Sequence, residues 1–323
     1  MEDIKLSDQD LKSEISFSKH RPLFFNRTVL MREMSVRINR DINLLIIPLA
    51  IGLASLGLLI VYQVFRSMVQ SGMADQIETD PMFGKLIFGA VMAVQLILVV
   101  GITPWATAGS ISSESEKNTL NLLRTTPLSP LSILGGKLVS GFCFTLLIIL
   151  TTIPVQIIFL FFGGITNQEL FISWVVILTT ILCLNCLGIF ISSRSQKTRK
   201  AMIITYLISI IQVIFLPLIV FFIGYQVLTT HQNMTDILNG IFLPETALVY
   251  IVYILIFINP IGALAVSEWA WINQQSSTSL QYISTSGNPI TLLSPWIPFV
   301  VCGLLLSLVT FLAALHSFKM RNS

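Results

Sequence analysis

The sequence predicts an all-α integral membrane protein with six transmembrane helices. An N-terminal interfacial helix, a cytosolic helical hairpin and a re-entrant element before the last span complete the plan. Three observations carry this. The 323 residues are 54% hydrophobic and only 11% charged, where a soluble domain carries about 25% charged residues. Apolar stretches of the ~20 residues needed to cross a ~30 Å hydrocarbon layer as helix recur along the chain. Lysines and arginines gather between those stretches rather than inside them.

In chain order, residues 1–23 mix acidic, basic and polar side chains and read as a solvated cytosolic tail. Residues 24–43 read as an amphipathic helix on the membrane surface. Leu30, Met31, Met34, Ile38 and Ile42 share one side, while Arg32, Glu33 and Arg40 take the other. Arg27, Arg37 and Asp41 fall on or near the apolar stripe, and the basic side chains are expected to reach lipid headgroups. The transmembrane domain follows over 44–323, with spans at about 44–65, 86–108, 137–162, 170–191, 201–225 and 296–316. The polar leader before Leu44 lacks a cleavable signal pattern, so the first span is expected both to target and to anchor the chain.

Charge asymmetry sets the expected orientation. With both termini cytosolic, 17 of the 19 lysines and arginines fall on the cytosolic side and only Arg66 and Lys85 on the other. A further apolar stretch at 247–266 would upset this order as a full span, because Lys319 and Arg321 would then lie outside. It is therefore expected to dip in from the external face and turn back at Asn259-Pro260-Ile261-Gly262, where proline and glycine interrupt the helix. Trp269, Trp271, Tyr282 and Trp296 would mark the external headgroup zone. A net charge of +3 gives no reason to expect a nucleic-acid partner.

The spans carry amides and prolines but no Asp, Glu or His at mid-depth. Proton-coupled carriers and intramembrane hydrolases need such groups there, and no H-E-x-x-H occurs. Gln95, Gln156, Asn185 and Gln212 are candidates either for hydrogen bonds between helices or for lining a substrate path. Cys183 and Cys186 form a C-x-x-C without a second pair or a nearby His, which favours helix packing over a metal site. No G-x-x-x-x-G-K-[ST] is present, so energy for movement is expected from a partner.

The hairpin 111–136 is the main polar interruption of the apolar chain. Ser113 with Glu116 fits the capping-box pattern, predicting a helix that starts there, carries Glu114 and Glu116 in its first turn and Arg124 in its last, and stops before Pro127. Leu120 and Leu123, with Thr119, would form a face for packing. Ser129-Pro130 predicts a second start, with serine as cap and proline at the first helical position.

The run Ser113-Glu114-Ser115-Glu116-Lys117-Asn118-Thr119-Leu120, continuing through Thr125-Thr126-Pro127-Leu128-Ser129 to Ile133-Leu134-Gly135-Gly136-Lys137-Leu138, resembles the coupling segment of type-2 ABC exporter permeases. That segment commonly reads E-R-E-x-G-T-L-x-x-L-L-x-T-P-L-S and then I-L-x-G-K. Ser115 replaces the usual Arg and Asn118 the usual Gly. The resemblance implies a permease subunit in the cytoplasmic membrane of a prokaryote. It would dimerise with a second copy or a paralogue and dock on a separate ABC ATP-binding subunit that holds ATP and Mg, with no cofactor on this chain. Glu114, Glu116, Lys117, Thr119, Leu120, Leu123, Thr126 and Pro127 would form the ATPase-coupling site, with Glu114 and Glu116 pairing with basic groups of the ATPase. The expected function is outward movement of an amphiphilic, lipid-like or drug-like substrate. The alternative is a non-conducting membrane anchor or regulatory subunit for the same kind of ATPase.

Overall fold

The structure, a computed structural model, describes residues 81–119, 129–153, 165–218, 245–273, 276–283 and 289–320, with the single positions Met31, Gln63, Ser67 and Gln156. The tail 1–23, the interfacial helix 24–43 and the first span 44–65 lie outside the described residues, apart from Met31 and Gln63. The described elements are α1 (Pro81–Thr107), α2 (Ser112–Glu116), α3 (Pro130–Leu150), α4 (Asn167–Arg194), α5 (Thr198–Ile210), α6 (Glu245–Phe257), α7 (Pro260–Ile272), β1 (Ser279–Ile283), β2 (Pro289–Leu293) and α8 (Trp296–Met320). A π-turn, Ile211–Phe215, prolongs α5. Among the described residues five helices, α1, α3, α4, α5 with its extension to Leu218, and α8, are long and apolar enough to cross a membrane, or six if the bent pair α6–α7 is one span, and the five fall on the second to sixth predicted spans.

α4 is the central post. It packs against α1, α3, α5 and α8, and Val176, Ile177, Ile181 and Leu184 along it are fully or almost fully buried. Helices in lipid gain little from apolar burial and associate instead through close backbone approach and hydrogen bonds. Thr107 is where this happens. A Cβ on Gly188 of α4 would stand 2.2 Å from its Oγ1, and one on Gly141 of α3 would stand 2.7 Å from its Cγ2 and 2.6 Å from Asn185 Oδ1. Only glycine lets α1, α3 and α4 meet there. By contrast α5 and α8 leave most of their apolar surface exposed, through Leu207, Ile211 and Phe215 on one and Leu305, Leu308 and Val309 on the other.

Helix ends follow local chemistry. Ser129 caps α3 by accepting from Ser132 N–H, with Pro130 at the first position as the sequence predicts. α3 starts at Pro130, ahead of the predicted 137, and its continuous part closes at Leu150, with Ile153 and Gln156 helical again beyond it. At its end the Thr151 and Thr152 hydroxyls and N–H groups all fold back on the Ile148 and Ile149 carbonyls, tightening the last turn. α4 opens with a full capping box between Thr166 and Glu169.

The stretch around 247–266 breaks where Asn259-Pro260 stands. Val249–Phe257 and Pro260–Ile272 meet at a bend of 115°. Asn259 Oδ1 accepts from Ile261 and Gly262 N–H, capping α7, while its amide donates to the Gln212 carbonyl inside the π-turn of α5. A Cβ on Gly262 would approach Ile256 O to 2.8 Å, so the sharp bend needs glycine. Beyond α7 comes a two-stranded antiparallel hairpin, with Ser279 opposite Leu293 and Ile283 opposite Pro289. The sequence reading held no strands. This segment is too short and too polar for a span, and its backbone groups pair with one another instead.

Candidate functional site

The chain leaves α1 at Thr107 without straightening. Ala108 N–H still bonds Pro104 O, Ser110 N–H bonds Thr107 O and Ser113 N–H bonds Gly109 O, so the backbone enters α2 already helical. This corrects the predicted capping box. The first residue before α2 is Ile111 in helical geometry, and no side chain of the segment caps it, because the donors a Ser113 cap would satisfy are already bonded. The cap comes from another helix. Ser192, near the end of α4 and fully buried, accepts from both Ile111 and Ser112 N–H at 3.0 Å.

The far end of α2 also departs from expectation. The helix closes at Glu116 instead of running on to Arg124. Asn118 has a positive φ of 56°; Thr119 N–H bonds Glu114 O and Asn118 N–H bonds Ser115 O, the two bonds of a Schellman closure. Glycine is the usual residue at that left-handed position, and asparagine is the best tolerated substitute. The departure of Asn118 from the family pattern therefore keeps its conformation. Leu120, Leu123, Thr126 and Pro127 lie outside the described residues.

Two carboxylates then tie this short helix to the spans. Lys137 of α3, whose side chain is only 3% exposed, places Nζ 2.7 Å from Glu114 Oε1 and donates to Ser110 O at 3.0 Å. On the other side Glu116 Oε2 accepts from Thr198 N–H, at the first position of α5, at 3.1 Å. α5 has no side-chain cap of its own, so Glu116 supplies one and sits at the positive end of its dipole. Hydrogen bonds from Thr198 hold the exposed Glu116 carboxyl below the usual carboxylate range, with smaller help from Arg199 and Lys197. Beneath lies an apolar cluster of Ile111, Leu134, Cys186, Ile189, Phe311, Ala314 and Phe318.

The arrangement is a short helix braced to α3 by an ion pair, to α4 by a serine and to α5 by a carboxylate. Lys117, Asn118 and Thr119 stand exposed at its tip. The family resemblance pairs Glu114 and Glu116 with basic groups of an ATPase; the structure gives each a partner within the chain. Sequence reading overlooked Lys137, Ser192 and Thr198 as members of the site. Lys137 could have been found from the G-K of the family pattern, but no local signal marks a serine some 80 positions away.

The proposed path amides separate into three places. Gln156 donates to Gln95 Oε1 at 2.9 Å and accepts from Trp174 Nε1 at 3.0 Å, and Gln95 in turn donates to Thr152 Oγ1. Both glutamines are almost fully buried, joining α1, α4 and the segment after α3. Asn185 lies against Gly141 and donates to Ile181 O within α4, and Gln212 belongs to the π-turn. Cys183 and Cys186 are buried free thiols, and the described residues hold no cluster of three or more metal-ligating side chains.

The opposite end of the bundle has an ionic centre as well. Lys85 Nζ, near the start of α1, lies 2.8 Å from Glu169 Oε1 in the first turn of α4. Glu268 of α7 stands within electrostatic reach of both. These carboxylates escaped a search for mid-span acids because they sit at helix ends and in the bent pair.

No curated protein matches the chain in sequence. Compared with protein families, residues 28–322 match the ABC-2 family transporter protein, nearly the whole chain. The chain thus belongs to that family, as an integral membrane permease subunit that works with an ABC ATP-binding subunit.

Proposed function

We propose that this permease is the membrane half of an ATP-driven exporter, and that the braced helix α2 is where the ATPase pushes. The observation that carries the reading is the triple brace. A displacement of α2 is shared at once by α3 through Lys137, by α4 through Ser192 and by α5 through Thr198. A buried charge-assisted pair is directional and resists stretching, so it transmits force better than apolar contact alone. ATP and Mg are held by the partner subunit, and Leu120, Leu123, Thr126 and Pro127 contribute to its docking site.

The exposed cations Arg194, Lys197, Arg199 and Lys200 beside α2 support a cytosolic position for this end and for both termini, as in a prokaryotic cytoplasmic membrane. The 115° bend supports a re-entrant α6–α7 pair on the external side. The exposed apolar faces of α5 and α8 offer surface to a second permease copy and to lipid. An apolar groove formed by Leu138, Phe142, Leu182 and Leu304 between α3, α4 and α8 suits an amphiphilic, lipid-like or drug-like cargo. Gln95 and Gln156, spent on each other, serve as struts between helices.

The test is the pair of substitutions Leu120→Asp and Leu123→Asp in one chain. They should release the ATPase from purified membranes while the permease stays inserted. Undiminished co-purification would overturn the docking assignment. ATP-dependent uptake of a fluorescent amphiphile into inverted vesicles then separates export from the anchor reading, which predicts a retained ATPase with no movement.

A further inference from the structure

Among the described residues, the far end of the bundle holds two carboxyl groups, Glu169 and Glu268, against one cation, Lys85. Glu169 is fully committed: Oε1 pairs with Lys85 and Oε2 accepts from Thr166 N–H at 2.9 Å. Lys85 is correspondingly engaged, with 12% of its side chain exposed. Glu268, on the neighbouring helix α7, is 7% exposed, and both of its carboxylate oxygens lack a hydrogen-bond partner among the described residues. Its neighbour Ser267 turns to Ser294 at 3.3 Å instead. Burial without hydrogen bonds is the least favourable condition for a carboxylate. A ligand that brings one positive charge and N–H donors meets both needs.

Position makes the site useful. Glu169 and Ser192 are separated by 23 residues of one helix, about 35 Å, so the cluster lies across a bilayer thickness from α2. It rests on α7, whose bend ties to the π-turn of α5 through Asn259 and Gln212. Trp269, next to Glu268 and 57% exposed, offers an aromatic face at the same level.

We infer that Glu268, backed by the Lys85–Glu169 pair, binds the primary ammonium group of an amphiphile at the end of the bundle opposite α2. This deepens the export reading by giving its cargo class a charged head. It stands on binding alone, so it is tested without ATP or ATPase, where loss of transport cannot be confused with loss of the site.

The full chain is placed in phosphatidylcholine nanodiscs and titrated with dodecylammonium, with dodecanol as the neutral control. Dodecylammonium should bind the wild type ~10-fold more tightly than the Glu268→Gln variant, while dodecanol binds both equally. Lys85→Gln should change affinity in the other direction, several-fold tighter, because it frees the Glu169 carboxylate. A misfolded variant would not give that gain. Adding phosphatidylethanolamine distinguishes the sources: displacement of the probe assigns the site to lipid headgroups, and no displacement assigns it to a cargo amphiphile. Equal dodecylammonium affinity in wild type and Glu268→Gln would overturn the inference, whatever Lys85→Gln shows.

Discussion

The two ends of this bundle are built from the same parts and finish differently. At the α2 end a buried lysine meets one glutamate, Lys137 with Glu114, and the second glutamate, Glu116, finds a backbone donor at Thr198. At the other end Lys85 meets Glu169, and the second glutamate, Glu268, finds nothing among the described residues. The α2 end leaves each carboxylate with a partner, as the proposed joint requires, whereas the other end leaves Glu268 without one, as the proposed amine site requires.

The largest expected effect breaks the balanced end. Lys137→Met leaves Glu114 facing a buried space without its cation, and should destabilise the protein by about 3 kcal/mol. That is the lower end of the range for a broken buried pair, since Glu114 is partly exposed. Thermal unfolding in nanodiscs reads it, and the added Glu114→Gln change should recover part of the loss.

The sharpest contrast is one of sign. Glu114→Gln should lower the melting temperature, whereas Glu268→Gln, made without any amine present, should raise it by the equivalent of about 1–2 kcal/mol, because it removes a buried carboxylate with no partner. If both substitutions lower it, the distinction between the two ends is lost.

A smaller effect concerns the tip of α2. Asn118→Ala should destabilise by about 1 kcal/mol, the penalty for alanine at a left-handed position, and Asn118→Gly should not. The smallest is a pH effect at Glu116. Its folded pKa is depressed, so its contribution is present above the unfolded value and disappears as pH falls through the folded one. Melting curves of wild type and Glu116→Gln should therefore converge in acid and separate toward neutral pH, the separation being modest because the group is exposed.

Much of this was legible in the sequence wherever the cause is local. Hydropathy located the five helices long and apolar enough to cross a membrane among the described residues, Ser129-Pro130 marked the start of α3, and Asn259-Pro260 marked the break between α6 and α7. The Ser113 capping box was misleading because a cap pattern assumes a chain arriving in extended form, and here it arrives helical from α1. The braces were not legible at all. Ser192 and Thr198 reach α2 only because α4 packs on α1, and Glu268 becomes the odd charge only once Lys85 is seen to be taken by Glu169. Residue type is written in the sequence; who has already been paired is written in the packing.

The central claim is that force applied at α2 reaches the spans through its braces, the Lys137–Glu114 pair to α3 among them. Its most direct measurement is permease-dependent ATP hydrolysis by the reconstituted ATPase in proteoliposomes, comparing wild type with Lys137→Met. The account predicts that the ATPase still co-purifies with the variant but that the permease stimulates it less than the wild type does, the Ser192 and Thr198 braces remaining. Full stimulation with Lys137→Met would contradict it.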